Sequence, residues 1–160
     1  MKIDKVSIIM GSKSDWKTLQ LAEDILNDFK IPNEVKIISA HRTPDRLYRY
    51  AKGVNKNNIK VIIAGAGGAA HLPGMVAALT TIPVLGVPIE SKFMNGLDSL
   101  LSIVQMPYGI PTATFAVGEA GAKNAALFAI SLLASNEKKI SAKLNKWRQG
   151  LTKAVNISPK

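Results

Sequence analysis

The chain has 160 residues and no cysteine, which suits one well-buried domain, 1–160, and excludes a disulfide framework, a thiolate metal site and a thiol nucleophile. Its net charge of +10 raises nucleic-acid binding, but seven Lys or Arg against one acid, Glu137, fall between 136 and 160. Seven minus one puts +6 of the excess in a basic C-terminal helix and tail (136–160), where a solvated helix face accounts for it; no RNA- or DNA-binding motif accompanies the run.

The N-terminus has basic residues and a short apolar run, but Asp4 and the polar residues after Met10 spoil a signal peptide, so a cytoplasmic protein is expected. Val6, Ile8, Ile9 and Met10 predict a strand, ended by the polar turn Gly11-Ser12-Lys13-Ser14-Asp15. Trp16, Leu19, Ala22, Leu26 and Phe29 then recur at helical spacing. A second strand is predicted over Asn33 to Ser39, terminating in Ser39-Ala40-His41-Arg42-Thr43-Pro44. Thr43 suits an N-cap and Pro44 the first helical position, so a helix follows to about Asn55.

From Val61 to Ile89 the chain carries no Asp, Glu, Lys or Arg and must be buried almost throughout. Its apolar length approaches that of a membrane span, but Gly65, Gly67, Gly68, Pro73, Gly74, Pro83, Gly86 and Pro88 divide it into strand, loop, helix and strand. Val61, Ile62 and Ile63 predict a doubly buried strand, the glycines a binding loop, and Pro73 to about Thr80 a helix. His71 is the one titratable side chain of the stretch. Val84 to Val87 predicts a fourth strand, Gly96 to Gln105 a helix, and the segment from Gln105 to Pro111 a loop. A fifth strand is expected over Thr112 to Val117. An alanine-rich helix follows from Glu119 to Ser135, and a last one from Asn136 to Val155 carries Ile140, Leu144, Trp147 and Leu151 on its buried or partner-facing side.

Five strands alternating with helices predict a parallel sheet covered on both faces, a three-layer αβα sandwich of flavodoxin type. Ligands in such sheets sit beyond the carboxyl ends of the strands. The loops Gly11–Asp15, Ser39–Thr43 and Gly65–His71 all follow strands and should share one edge. Ser12 and Ser14 offer hydroxyls and N–H groups for a phosphate, and Arg42 adds a planar fork. Asp15 suits a sugar diol, and His41 is the natural acid or base near neutral pH. Each feature alone has a plain structural reading: Ser12 and Asp15 as helix caps, His41 as a loop histidine, the glycines without a Rossmann or P-loop spacing. Two histidines with few carboxylates near them make a poor metal site.

The motifs Gly11-Ser12-Lys13-Ser14-Asp15-Trp16, Ser39-Ala40-His41-Arg42-Thr43-Pro44, Ala64-Gly65-Ala66-Gly67-Gly68-Ala69-Ala70-His71-Leu72-Pro73-Gly74-Met75, Gly86-Val87-Pro88 and Ser102-Ile103-Val104-Gln105-Met106-Pro107, in this order, resemble the PurE family of N5-carboxyaminoimidazole ribonucleotide mutases. The resemblance implies a cofactor-free, metal-free isomerase of purine biosynthesis that moves a carboxyl group from N5 to C4 of the aminoimidazole ring. It implies His41 as the catalytic acid and base, Ser12, Ser39 and Arg42 at the 5′-phosphate, and Asp15 at the ribose. Ser14, Ala40, Gly65, Ala66, Gly67, Gly68 and Leu72 complete the expected substrate site, with His71 orienting the carboxyl group. It further implies a homo-octamer, in which the final helix packs on a neighbouring subunit, and no nucleic-acid or membrane partner. Two rivals stand beside it: an aminoimidazole ribonucleotide carboxylase using free CO₂, and a non-catalytic mononucleotide- or RNA-binding module. Arg42-Thr43-Pro44 favours the mutase, because the animal-type carboxylase resembles Lys-Gly-Pro there.

Overall fold

In the computed structural model, which describes residues 4–159, a five-stranded parallel sheet has the order β2-β1-β3-β4-β5. Residues 1–3 and 160 of the expected 1–160 unit lie outside the described residues. The strands are β1 (Lys5–Met10), β2 (Asn33–Ile37), β3 (Ile59–Gly67), β4 (Val84–Ile89) and β5 (Ala113–Thr114). Helices α1 (Trp16–Asp28), α2 (Pro44–Gly53), α3 (Leu72–Ala77), α4 (Leu97–Val104), α5 (Glu119–Ala134) and α6 (Lys138–Ala154) supply the connections. This is the flavodoxin-type order, whose reversal point lies between β1 and β3.

Two apolar clusters line the two faces of the sheet. Val6, Ile8 and Met10 of β1 pack with Val61 and Ile63 of β3 against α1 and α5, while Ile9, Ile62 and Ala64 pack against α2 and α3. Alternation along each strand sends successive side chains to opposite faces, and both faces are covered, so β1 and β3 read as continuous apolar runs. Alanines 122, 125, 126 and 129 are fully buried in α5, and their small size lets that helix lie close to the sheet.

Three boundaries differ from expectation by three residues or more. β3 does not stop at Ile63; it runs on through Gly65 and Gly67. Both are held in ladders, Gly65 between Met10 and Val87 and Gly67 beside Ile89, and a central position in the sheet overrides the weak strand preference of glycine. β5 shrinks from the predicted six residues to Ala113–Thr114. Phe115 still donates its N–H to the Gly86 carbonyl, but Pro88 has no N–H to return to the edge strand, so the ladder lapses. α3 begins at Leu72 and ends at Ala77, short of Thr80, where the Leu79 N–H turns to the Val76 carbonyl and the Thr80 hydroxyl takes the Ile82 N–H. The final helix keeps part of its apolar stripe at home: Leu144 is buried and Ile140 packs on the α1–α5 core, while Trp147 meets Phe29 edge-on at 6.2 Å. Leu151, 52% exposed, is left uncovered.

Candidate active site

The carboxyl ends of β1, β2 and β3 open into a cleft of about 540 Å³ whose walls include Ser12, Asp15, His41, Arg42, Gly67 and His71. Ser14, Ser39, Ala40, Ala66, Gly68 and Leu72 also line it, so the three motif loops do meet at one edge. Of the residues singled out from sequence, Gly65 alone does not reach the cleft. A Cβ there would lie 2.6 Å from Leu19 Cδ1; its bare backbone lets α1 close on the sheet.

The first loop is a single 3-10 turn, Lys13–Asp15, capped by Ser12. The Ser12 N–H donates to Asp15 Oδ2 (3.0 Å) and the Ser14 N–H donates to Ser12 Oγ (3.4 Å), a reciprocal capping box. Ser14 Oγ donates to the other Asp15 oxygen (3.2 Å). The capping reading of Ser12 and Asp15 is thus correct as far as it goes, and the box also fixes a carboxylate in the cleft wall. Burial raises the Asp15 carboxyl above its ordinary value, opposed by hydrogen bonds from Ser12 and Ser14 and by the charge of Arg42.

In the second loop, Ser39 Oγ accepts from both the backbone N–H (3.2 Å) and Nε (3.3 Å) of Arg42. Arg42 Nη2 donates to the Gly11 carbonyl (3.3 Å), tying the second loop to the first. Thr43 sits at the N-cap of α2 without capping it; its hydroxyl donates back to the Ser39 carbonyl (2.8 Å). Ala40 is 6% exposed, so its contribution to the cleft is largely backbone.

His41 Nε2 and His71 Nδ1 are 2.8 Å apart, with ring planes at 87°. At that distance one nitrogen donates and the other accepts, so one hydrogen lies between two exposed imidazoles. His71 occupies the N-cap position of α3 without a side-chain cap bond, leaving its ring for the cleft. The glycine loop between them is braced from behind. Ser99 Oγ, on a fully buried residue, accepts from the Gly68 N–H (2.9 Å) and donates to the Ile89 carbonyl (2.6 Å); Ser102 Oγ shares its hydrogen between the Asp98 carbonyl of its own helix (2.7 Å) and the Gly68 carbonyl (3.1 Å). Gly68 has φ +67°, a conformation costly to any residue with a Cβ, and α4 holds both its N–H and its carbonyl.

Sequence reasoning missed this bracing, and it missed Ile89, Glu90 and Ser91 in the cleft wall, which Gly11 and Ala69 of the predicted loops also line. A signal existed for each group. Ser99 and Ser102 are three apart on a helix whose remaining residues, Asp98 aside, are apolar, and residues 89–91 lie at the carboxyl end of β4, where this fold binds ligands.

Fold and site together define an α/β protein with a cleft at the carboxyl edge of a parallel sheet, lined by serine hydroxyls, a guanidinium and an imidazole pair. The chain belongs to the AIR carboxylase family, whose model matches residues 5–154. It is 54% identical over 155 residues to the N5-carboxyaminoimidazole ribonucleotide mutase of Escherichia coli (strain K12), covering 97% of this chain and 92% of that protein. It is 58% identical over 151 residues to the protein of the same name from Saccharolobus solfataricus, covering 94% of each. The crystal structure of Treponema denticola PurE superposes with a TM-score of 0.85 at 26% identity, over 94% of this chain and 92% of that one.

Proposed function

We propose that the chain is an N5-carboxyaminoimidazole ribonucleotide mutase, an isomerase that transfers the substrate's carboxyl group from N5 to C4 in purine biosynthesis. The observation that carries this reading is the 2.8 Å imidazole pair standing in one cleft with Ser12, Ser39 and Arg42. Hydroxyls and a guanidinium suit a phosphate monoester, the Asp15 carboxylate accepts from ribose hydroxyls, and the imidazoles handle protons near neutral pH. The curated relatives above carry the mutase name at high coverage.

In this mechanism His41 donates a proton as the N5–carboxyl bond breaks, releasing CO₂ and leaving an aminoimidazole with a nucleophilic C4. The new C4–carboxyl bond forms on the retained CO₂, and His41 removes the C4 proton, returning to its starting state. Carbon dioxide has no charge by which to be held, so retention depends on shape: Ala66, Gly67, Gly68 and Leu72 form a close-fitting wall that keeps it beside C4. His71 orients His41 and the migrating carboxyl group. No step calls for a metal or an organic cofactor.

The same reading includes a cytoplasmic homo-octamer without nucleic-acid or membrane partners. In support, α4 leaves Leu97, Leu101 and Val104 between 45% and 52% exposed, and α6 leaves Leu151 open, an apolar periphery suited to neighbouring subunits, including one that receives α6. Among the described residues no helix is long and apolar enough to cross a membrane. A monomer in light scattering at micromolar concentration would contradict the assembly.

The activity is tested by supplying N5-carboxyaminoimidazole ribonucleotide without bicarbonate or ATP and following the C4 isomer. Conversion is expected; conversion of aminoimidazole ribonucleotide only with added bicarbonate would assign the carboxylase reaction instead, and saturable binding without turnover would assign the binding module.

A further inference from the structure

Arg42 has a neighbour at the strand ends. Arg46 of α2 donates from Nη1 to the carbonyl of Ile37, the last residue of β2 (3.2 Å). Arg42 does the same to Gly11, the first residue past β1 (3.3 Å). Met10 and Ile37 are register partners in these two parallel strands, which lie about 4.8 Å apart, so two guanidinium groups sit over adjacent strand ends. Arg49, three residues on and therefore on the same helical face as Arg46, continues the row with Lys36 of β2. Arg46, Arg49 and Lys36 line a second hollow of about 380 Å³, floored in part by Tyr50. The row thus runs from that hollow to the active-site cleft, which Arg42 lines.

Opposing charge is sparse along it. Among the described residues no carboxylate lies within 4.0 Å of Arg42, Arg46 or Arg49. Glu34 is paired with Lys36, and Asp45 is exposed in the first turn of α2. Each arginine has five N–H donors; Arg42 spends two of them and Arg46 one on the fold, so charge and donors remain for a passing anion.

We propose that Arg46 and Arg49 form an anion-collecting track that draws a phosphate monoester to this face and delivers it to Arg42. The proposal rests on the reading of the cleft as a site for a phosphorylated substrate. Clustered charge of one sign raises encounter rates with oppositely charged ligands by about 10- to 1,000-fold, and salt screens it over about 10 Å at 0.1 M. Track residues attract substrate and transition state alike, so their loss raises KM and leaves kcat in place.

The test is steady-state kinetics of the full chain carrying Arg46→Gln and Arg49→Gln, in low and high salt. At roughly 20 mM salt kcat/KM is expected to fall about fivefold with kcat within about twofold, and the gap to close near 0.5 M salt. Lys146→Gln with Lys153→Gln removes the same amount of charge from α6 and is expected to change nothing. Arg46→Lys keeps the charge and is expected to retain the wild-type kcat/KM. An unchanged kcat/KM in the Arg46/Arg49 variant, an equal loss in the α6 variant, or a loss confined to kcat would overturn the track. Absence of wild-type turnover would sink the functional reading instead. Calorimetric binding of inorganic phosphate, weaker in the Arg46/Arg49 variant if the track exists and equal if it does not, then decides the matter alone.

Discussion

Two regions of the molecule hold polar side chains, and they hold them differently. At the carboxyl edge of the sheet four charged or hydroxyl groups are tied to backbone: Arg42 to Gly11, Arg46 to Ile37, Asp15 to Ser12, Ser99 to Gly68 and Ile89. Along α6, Lys138, Lys139, Lys146, Arg148 and Lys153 are exposed, and Lys143 makes the helix's one strong anchor, to the Asp28 carbonyl (2.6 Å) with its ammonium 5.3 Å from the Phe29 ring centroid. The helix carries more charge and the edge carries the cleft. Preorganised geometry, rather than the number of charges, separates a binding cleft from a soluble surface.

The sharpest way to break that comparison is His41→Asn. Removing the one group assigned to both proton transfers is expected to lower kcat by about 100- to 10,000-fold with ligand affinity kept, as read by single-turnover kinetics and calorimetry side by side. Retained turnover would move the chemistry elsewhere. Next comes Arg42→Gln, where losing a charge-assisted contact of about 1.5–3 kcal/mol is expected to weaken binding of the phosphorylated substrate by about 10- to 150-fold. An effect limited to kcat would place Arg42 away from the phosphate.

Ser99→Ala probes the bracing. It strands a part-buried N–H and a buried carbonyl, expected to cost about 1–3 kcal/mol of stability, measured by urea unfolding. It also frees the Gly68 peptide, so kcat/KM is expected to fall more than the stability loss alone explains. Wild-type stability would mean the two hydrogen bonds are dispensable.

The smallest effect concerns Asp15 and pH. The folded chain holds this proton more tightly than the unfolded chain, whose carboxyl keeps its ordinary value near 3.8. Ionising the buried carboxyl therefore costs stability above the folded pKa, and that cost fades as pH falls through the window towards 3.8. Asp15→Asn is expected to gain stability relative to wild type at pH 7 and to lose part of that gain near pH 4. Parallel unfolding curves at the two pH values would remove the burial effect from the account.

Much of this was legible in the chain. The apolar runs of β1, β3 and β4 and the helical stripes of α1 and α2 lie where the sequence reading puts them, and the three motif loops meet at one edge. What was not legible depends on contacts across the sequence. Gly65 and Gly67 look equivalent in the chain, yet Gly65 admits Leu19 and a Cβ at Gly67 would merely touch Ile89 at 3.4 Å, leaving Gly67 for the cleft. The shortness of β5 depends on a proline in the neighbouring strand, and the roles of Ser99 and Ser102 on a helix about thirty residues from the peptide they hold. Periodicity reports which face is buried; it does not report which backbone group a buried hydroxyl meets.

The central claim is that the cleft carries one carboxyl group from nitrogen to carbon without letting it go. Substrate labelled with ¹³C in its N-carboxyl group, turned over in unlabelled bicarbonate, tests it directly. Retention of the label in the C4 carboxylate is predicted; dilution to the bicarbonate value would mean that CO₂ enters from solution and that the protein is a carboxylase.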